Sequence, residues 1–252
     1  MGVEDRNFNS DGIIIRSRDY ADNDRIITFL SVDRGKISGI AKGVRKPQSS
    51  LKGAVQPFIY SKLSFATGRG SLYTITQGEV LNSFFSLRTD LTKIAYASYL
   101  AELADYGTVE HKQAPGIFGL LLAAYTLLEN DIDPRLAARV FELRFLKDLG
   151  FAPKLDSCIL CGRKAEYSRF FLSVLRGGLI CEACAGSNNN SVSSGTVQIM
   201  KQFMNADLDK LLRLRFTDSV YDELDAAITP YLDYHLDYSS RARRFLTGFT
   251  LD

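Results

Sequence analysis

The chain has 252 residues, of which 46% are hydrophobic and 24% are charged, and these values are ordinary for a soluble globular protein. No apolar run reaches the roughly 18 residues that a membrane span needs, so the sequence predicts a protein without a membrane-spanning helix. The polar, acidic segment Met1–Asn7 lacks the features of a signal peptide.

The first third of the chain has the alternating pattern of β structure. Short runs rich in Ile, Phe and Tyr are separated by Gly, Pro and Asp, which are turn residues. Five short strands in about 70 residues suggest a small closed barrel. The predicted strands are Gly12–Arg18, Arg25–Ser31, Lys36–Lys42, Phe58–Phe65 and Leu72–Thr76, with a polar loop at Gly43–Gly53.

The fourth strand has two distinct faces. Ile59, Leu63 and Phe65 share one face, which we assign to the barrel core because side chains alternate along a strand. Phe58 and Tyr60 share the other face with a lysine. These aromatic rings either stack nucleic-acid bases or pack against the next domain.

The charge is distributed unevenly along the chain. Residues 34–78 contain eight Lys and Arg side chains and no Asp or Glu, whereas the net charge of the whole chain is only +2. A polyanion is the natural partner of such a segment, although a merely solvated surface is the alternative.

The pattern changes to a helical spacing near Leu87. Helices are predicted at Asp90–Tyr106 and Pro115–Asn130, and a third begins at Pro134 and is closed by Gly150. Nearer the C-terminus, helices are predicted at about 196–205, 208–214 and 217–238, the last kinked near Pro230.

The four cysteines form two Cys-x-x-Cys pairs separated by nineteen residues: Cys158 and Cys161, then Cys181 and Cys184. This spacing is typical of a tetrahedral four-thiolate zinc site, which is closed and therefore structural. The alternatives are two disulfides or four free thiols. One zinc ion per chain and the missing export signal together indicate a reducing, cytoplasmic setting.

The sequence offers few groups for catalysis. His111 and His235 have no obvious partner, and no phosphate-binding loop or serine nucleophile elbow is recognisable. The pattern therefore favours a binding protein over an enzyme.

Several stretches together resemble the RecO family of bacterial DNA repair proteins along nearly the whole chain. The most specific are Ala41–Arg45 and Phe141–Gly150, and the four cysteines follow in order. The resemblance implies an α+β multidomain protein with an N-terminal OB-fold β-barrel (residues 1–82). It also implies a C-terminal helical domain (83–252) with an inserted four-cysteine zinc ribbon at about 154–188.

The same resemblance implies a nucleoid-associated role in DNA repair and recombination. The family binds single- and double-stranded DNA, anneals complementary strands, and works with RecR and single-strand-binding protein to load recombinase in the RecF pathway. A zinc-ribbon nucleic-acid enzyme such as a nuclease, and a protein-binding adaptor, are the alternative functions.

Two sets of binding residues follow from these observations. Most of the expected DNA contacts lie in the basic segment, and they are Arg34, Lys36, Lys42, Arg45, Lys46, Lys52 and Arg69, with Arg16 and Arg18. Arg139 is expected to bind the acidic C-terminal tail of single-strand-binding protein, because the resemblance places a tail-contacting arginine there. The alternative is a solvated helix position, and Arg135 and Arg144 compete for the same role.

Overall fold

The computed structural model forms two compact units. The barrel unit comprises Met1–Asp131 and Ser240–Asp252, and the ribbon unit comprises Ile132–Ser239. A domain boundary at residue 82 stays a prediction, since the two helices that follow the barrel belong to the barrel unit. The residues that the structure describes are 7–67, 72–164, 169–185, 191–211, 214–236, 242, 243 and 246.

Five strands close into a barrel in the order β1-β2-β3-β5-β4, which confirms the predicted OB-like fold. All neighbouring strands are antiparallel except β3 and β5. The strands are β1 (Asn7–Tyr20), β2 (Asp24–Ser31), β3 (Gly35–Ala41), β4 (Tyr60–Ala66) and β5 (Tyr73–Asn82).

The barrel interior is filled by branched and aromatic side chains from alternate strand positions. Ile14, Phe29 and Leu63 are fully buried, and the rings of Phe29 and Phe65 lie 5.5 Å apart. Ile59, Leu63 and Phe65 are all buried, as the alternation in β4 predicts. Burying several side chains of this size is the main stabilising contribution of such a core.

A segment from outside the barrel covers the open edge of β3. This strand pairs with β5 only at Gly39 and Ile40, so the rest of its edge needs other partners. The amide of His111 donates to the Lys36 carbonyl at 3.0 Å, and a Cβ at Gly35 would lie 1.9 Å from the Lys112 carbonyl oxygen. Gly35 also has a φ of +72°, so glycine is required at this close approach.

The barrel unit continues into two helices, α1 (Leu91–Gly107) and α2 (Pro115–Glu129). The base-stacking interpretation of Phe58 is wrong, because its side chain is buried and its ring makes an edge contact with Tyr125 of α2 at 5.8 Å. Tyr60 is only half-buried, and its ring lies 6.1 Å from that of Phe118, also in α2. Both aromatic side chains therefore face α2. Packing against the helices that follow the barrel was the alternative to base stacking in the sequence analysis.

The ribbon unit contains a small sheet in the order β7-β6-β8 among helices. α7 runs without interruption through Pro230, and α3 ends before Gly150, whose φ of +84° suits the position after a helix. The elements are α3 (Pro134–Asp148), β6 (Phe170–Ser173), β7 (Gly178–Cys181), α4 (Glu182–Ala185), β8 (Ser191–Val192), α5 (Ser194–Asn205), α6 (Leu208–Leu211) and α7 (Asp218–Leu236).

Candidate metal centre and nucleic-acid interface

The four cysteines meet at one point in the ribbon unit. All four Sγ atoms lie within 4.8 Å of one another, and those of Cys161 and Cys181 are 3.6 Å apart. A tetrahedral ion with bonds of about 2.3 Å would place its sulfur ligands roughly 3.8 Å apart. No cysteine forms a disulfide, so the structure does not support the disulfide alternative. The set therefore fits a four-thiolate metal site.

Local backbone geometry explains why the two pairs converge. The amide of Gly162 donates to the Cys158 carbonyl at 2.9 Å, and its φ of +75° makes the tight turn of the first knuckle. The amide of Ile159 donates to the carbonyl of Leu179 in β7 at 2.8 Å, which fixes this knuckle against the hairpin. Cys181 ends that same strand, so the hairpin delivers the second pair to the first.

The thiols affect one another's protonation. Burial raises the pKa of the Cys158 thiol, but hydrogen bonds from the backbone of Cys181, Cys161 and Leu160 outweigh it and lower the pKa to about 6. Hydrogen bonds to Cys181 and Cys161 raise the pKa of Cys184 to about 12. Four thiolates so close together repel one another, and a bound cation relieves that repulsion.

The ligand set is closed. In the part of the chain that the structure describes, the four-cysteine cluster is the only group of three or more His, Cys, Asp or Glu residues that meets the geometry of a metal site. With all four positions taken by protein sulfur, a tetrahedral ion has no position left for a substrate. The centre is therefore suited to holding the ribbon together.

The predicted DNA contacts that remain most accessible lie in the long loop after β3. Lys42, Arg45, Lys46 and Lys52 are all exposed. Lys42 and Lys46 also line a cleft of about 600 Å³ between this loop and Thr76 of β5. Cations exposed around a cleft are free to meet phosphate groups, because little desolvation opposes the contact.

The loop is anchored to the β1–β2 turn. The Gly43 amide donates to Asp24 Oδ1 at 2.7 Å, and the Arg45 amide donates to the Asn23 carbonyl at 3.0 Å. The Arg45 guanidinium lies 3.6 Å from Asp19, which Arg25 also contacts at 2.9 Å. The exposed cations therefore stand on an ordered backbone.

Two other cations of the basic segment, Lys36 and Arg34, already have intramolecular partners. Lys36 is 16% exposed and donates to the carboxylate and the carbonyl of Asp105 at 2.8 and 2.7 Å. The Arg34 guanidinium lies 4.2 Å above the Phe8 ring. Arg16 is exposed but 3.7 Å from Asp105, and Arg18 is exposed. Arg69 lies outside the described residues.

Arg139 is a buried member of an ion-pair network. It is 8% exposed, and it contacts Glu142 at 2.6 Å and Asp225 of α7 at 3.2 Å. The alternative of a solvated helix position is therefore wrong. Arg135 pairs with Asp133 and Asp218, and Arg144 donates to the backbone of Phe203 and Ala206.

Sequence reasoning missed both carboxylates around Arg139. Glu142, at position i+3 on the same helix, was detectable from its spacing. Asp225 comes from a distant helix, so no local pattern could have indicated it.

Among the helices that the structure describes, none combines the length and the apolarity that crossing a bilayer requires.

Fold and site together define a multidomain protein that joins an OB-type barrel to helices carrying a four-cysteine ribbon. Two family models match the sequence: "Recombination protein O N terminal" over residues 6–84 and "Recombination protein O C terminal" over residues 88–244. The chain belongs to the RecO family of DNA repair and recombination proteins.

Curated relatives match over nearly their whole length. The DNA repair protein RecO of Moorella thermoacetica is 38% identical over 95% of this chain and 90% of its own. RecO of Pelotomaculum thermopropionicum is 36% identical, covering 96% of this chain and 94% of its own length. RecO of Symbiobacterium thermophilum is 34% identical, covering 95% of this chain and 96% of its own length.

Proposed function

We propose that the chain is a recombination mediator without catalytic activity of its own, acting at the bacterial chromosome. It binds single- and double-stranded DNA through the barrel unit and anneals complementary strands. With RecR and single-strand-binding protein it helps to load recombinase in the RecF pathway. Membership of the RecO family supports this proposal, and the exposed cations of the loop after β3 are the observation that carries it.

Annealing requires no bond chemistry. Two strands must approach closely enough to pair, and phosphate repulsion opposes that approach. Lys42, Arg45, Lys46 and Lys52 together place four positive charges on one loop, which lowers the repulsion without reading base sequence. A surface of this kind binds many sequences, as a repair mediator needs.

The direct test is an annealing assay with two complementary oligonucleotides that carry a fluorophore and a quencher. The native chain is expected to accelerate quenching at sub-saturating DNA in a buffer without added divalent cations. No acceleration under low salt would contradict annealing. Cleavage products that appear only with a divalent cation would favour a nuclease instead.

We further propose that the four thiolates hold one zinc ion. Sulfur-rich tetrahedral sites favour soft or borderline metals, and zinc is the common structural ion in such sites. Support comes from the 3.6 Å separation of the Cys161 and Cys181 sulfurs and from the closed ligand set.

A third proposal is that Arg139 receives the terminal carboxylate of the single-strand-binding protein tail. A guanidinium can bind a carboxylate through two parallel hydrogen bonds, and this match of geometry supports the proposal. The tail would compete with Asp225, which is the more exposed of the two carboxylates that Arg139 contacts.

This competition gives a specific prediction. Asp225→Asn removes the outer carboxylate while Glu142 still pairs with Arg139, so affinity for a fluorescent tail peptide should rise a few-fold. Arg139→Lys keeps the charge but loses the bidentate geometry, so affinity should fall roughly tenfold or more, as expected for a charge-assisted pair. Arg139→Ala is less informative, because it leaves the buried Glu142 unpaired, at a cost of about 3–5 kcal/mol in stability.

The measurement is fluorescence anisotropy of the labelled peptide. Arg135→Lys is the matched control, since Arg135 lies on the same helix but pairs with Asp133 and Asp218. Equal affinities for the native chain, Asp225→Asn and Arg139→Lys would assign the tail to another surface.

A further inference from the structure

An aromatic cluster surrounds His235 in the ribbon unit. The rings of Tyr231, Phe151 and Tyr234 lie 4.3, 5.2 and 5.2 Å from the imidazole. Tyr231 is buried, whereas Phe151 is 40% exposed and Tyr234 is 53% exposed. Both exposed rings contact the half-buried imidazole of His235, and adjacent exposed rings form a candidate interaction surface. The cluster therefore presents two aromatic rings to solvent on a common base.

Hydrogen bonds hold the cluster in place. The Tyr231 hydroxyl donates to the Phe151 carbonyl at 3.2 Å. The same hydroxyl would lie 3.5 Å from a Cβ at Gly177, which places the cluster beside the turn between β6 and β7. Pre-organised rings lose little entropy when they bind a ligand.

Two cations stand on the same backbone. The Lys154 amide donates to the Gly177 carbonyl at 3.0 Å, and Arg176 precedes that glycine in the hairpin turn. Both side chains are exposed, and no ion pair of either is found among the described residues. Asp156, two residues beyond Lys154, pairs with Lys201 at 3.0 Å.

The surface suits a single strand better than a duplex. The neighbouring helices also carry carboxylates, Asp148 on α3 and Asp233 on α7, so the positive charge is modest. Binding to a duplex depends largely on phosphate neutralisation, which needs more cations. A single strand adds base stacking on aromatic rings, and that contribution is independent of net charge and of sequence.

We propose that this face binds single-stranded nucleic acid. Phe151 and Tyr234 stack bases, while Lys154 and Arg176 meet the phosphates. The inference rests on the proposed annealing function and deepens it: one strand is held by the barrel cations and the other by the ribbon unit with its bases splayed on the rings. The bases of a duplex are already stacked on one another, so a duplex cannot stack its bases on these rings.

The first test uses the full-length chain and an oligonucleotide of thymidines with one 5-iodouracil, cross-linked by ultraviolet light. Cross-linked peptides are expected to contain Phe151 or Tyr234, and the same probe in a duplex should not label them. Cross-links confined to other residues would overturn the assignment.

The second test compares variants. Phe151→Ala combined with Tyr234→Ala should weaken oligothymidine binding roughly tenfold or more, because removing a stacking ring has an effect of this size. Duplex affinity should be unchanged, and annealing should slow. Tyr234→Phe keeps the ring and should bind normally. Phe85→Ala, which removes a ring 64% exposed in the barrel unit, is the matched control.

A second double variant removes the two cations and leaves the aromatic packing intact. Lys154→Ser with Arg176→Ser should reduce the magnitude of the negative slope of log affinity against log salt for single strands by about 1.4, the value for two phosphates. If both double variants bind single strands like the native chain, this face is not a strand site, although the proposed function stands. If the native chain neither binds nor anneals DNA, the proposed function itself fails.

Discussion

Replacing Cys181 with serine is expected to abolish metal binding and to unfold the ribbon locally, while the barrel remains folded. Cys181 is fully buried and pairs with Phe170 across the hairpin, and its Sγ atom lies 3.6 Å from that of Cys161. A hydroxyl is a poor substitute for a thiolate in a closed site, and structural zinc contributes about 10–16 kcal/mol of apparent binding free energy in isolated fingers. Losing one of the four ligands removes much of that contribution.

The separation into two compact units determines which signals should change. The zinc content measured by metal analysis should fall from one ion per chain to close to zero. Limited proteolysis should produce new cleavages near the cysteines, because that segment lies in the ribbon unit, which unfolds locally. The barrel has a separate aromatic core that does not involve the site, so its unfolding transition should persist.

Leu160→Ser is the matched control for Cys181→Ser. Leu160 lies between two ligands but is 47% exposed and donates no sulfur, so the variant should keep its metal. Acidification should release the ion from the native chain, because protons compete with metal for thiolate. A native chain purified under reducing conditions without zinc would contradict the assignment, as would a Cys181→Ser variant with full metal content.

Local patterns in the sequence were sufficient to predict the barrel and the cysteine site. Strand alternation placed Leu63 and Phe65 in the core, because neighbouring positions of a strand face opposite sides whatever the tertiary context. The Cys-x-x-Cys spacing likewise predicts that two sulfurs converge, since a knuckle needs only a tight turn. Both inferences depend on residues close in sequence.

Long-range pairs could not be predicted in the same way. Lys36 and Arg139 looked like free cations, yet Lys36 pairs with Asp105 of α1 and Arg139 pairs with Asp225 of α7. Which carboxylate reaches which cation depends on how the helices pack, and one sequence carries no local record of that. Phe58 precedes β4 and adopts a φ of +70°, and its ring packs against Tyr125 of α2, a contact that strand alternation could not indicate.

The loop after β3 carries the predicted DNA contacts that remain most accessible, and a double charge reversal tests that loop. Lys42→Glu with Arg45→Glu is expected to weaken binding of single and double strands alike, with no dependence on base sequence. If each side chain neutralises one phosphate, the slope of log affinity against log salt should fall in magnitude by about 1.4 to 1.8.

The variant should fold, because both side chains are exposed and the loop is held by backbone hydrogen bonds. Asp19 loses Arg45 but keeps Arg25 at 2.9 Å, so no buried charge is left unpaired. The Lys210→Glu and Arg215→Glu pair makes the same change in net charge on exposed positions of the ribbon unit. It therefore controls for the general effect of a more negative protein.

The expected loss of affinity at low salt is roughly ten- to a hundredfold. Charge-assisted hydrogen bonds contribute on the order of 1.5–3 kcal/mol each, exposed contacts only a part of that, and the new carboxylates add repulsion. The measurement is fluorescence anisotropy of labelled oligonucleotides across a salt series. If the double variant keeps native affinity and slope, the barrel loop is not the DNA surface. Strand binding would then depend on the ribbon unit, where stacking on Phe151 and Tyr234 predicts a shallow salt dependence instead of a steep one.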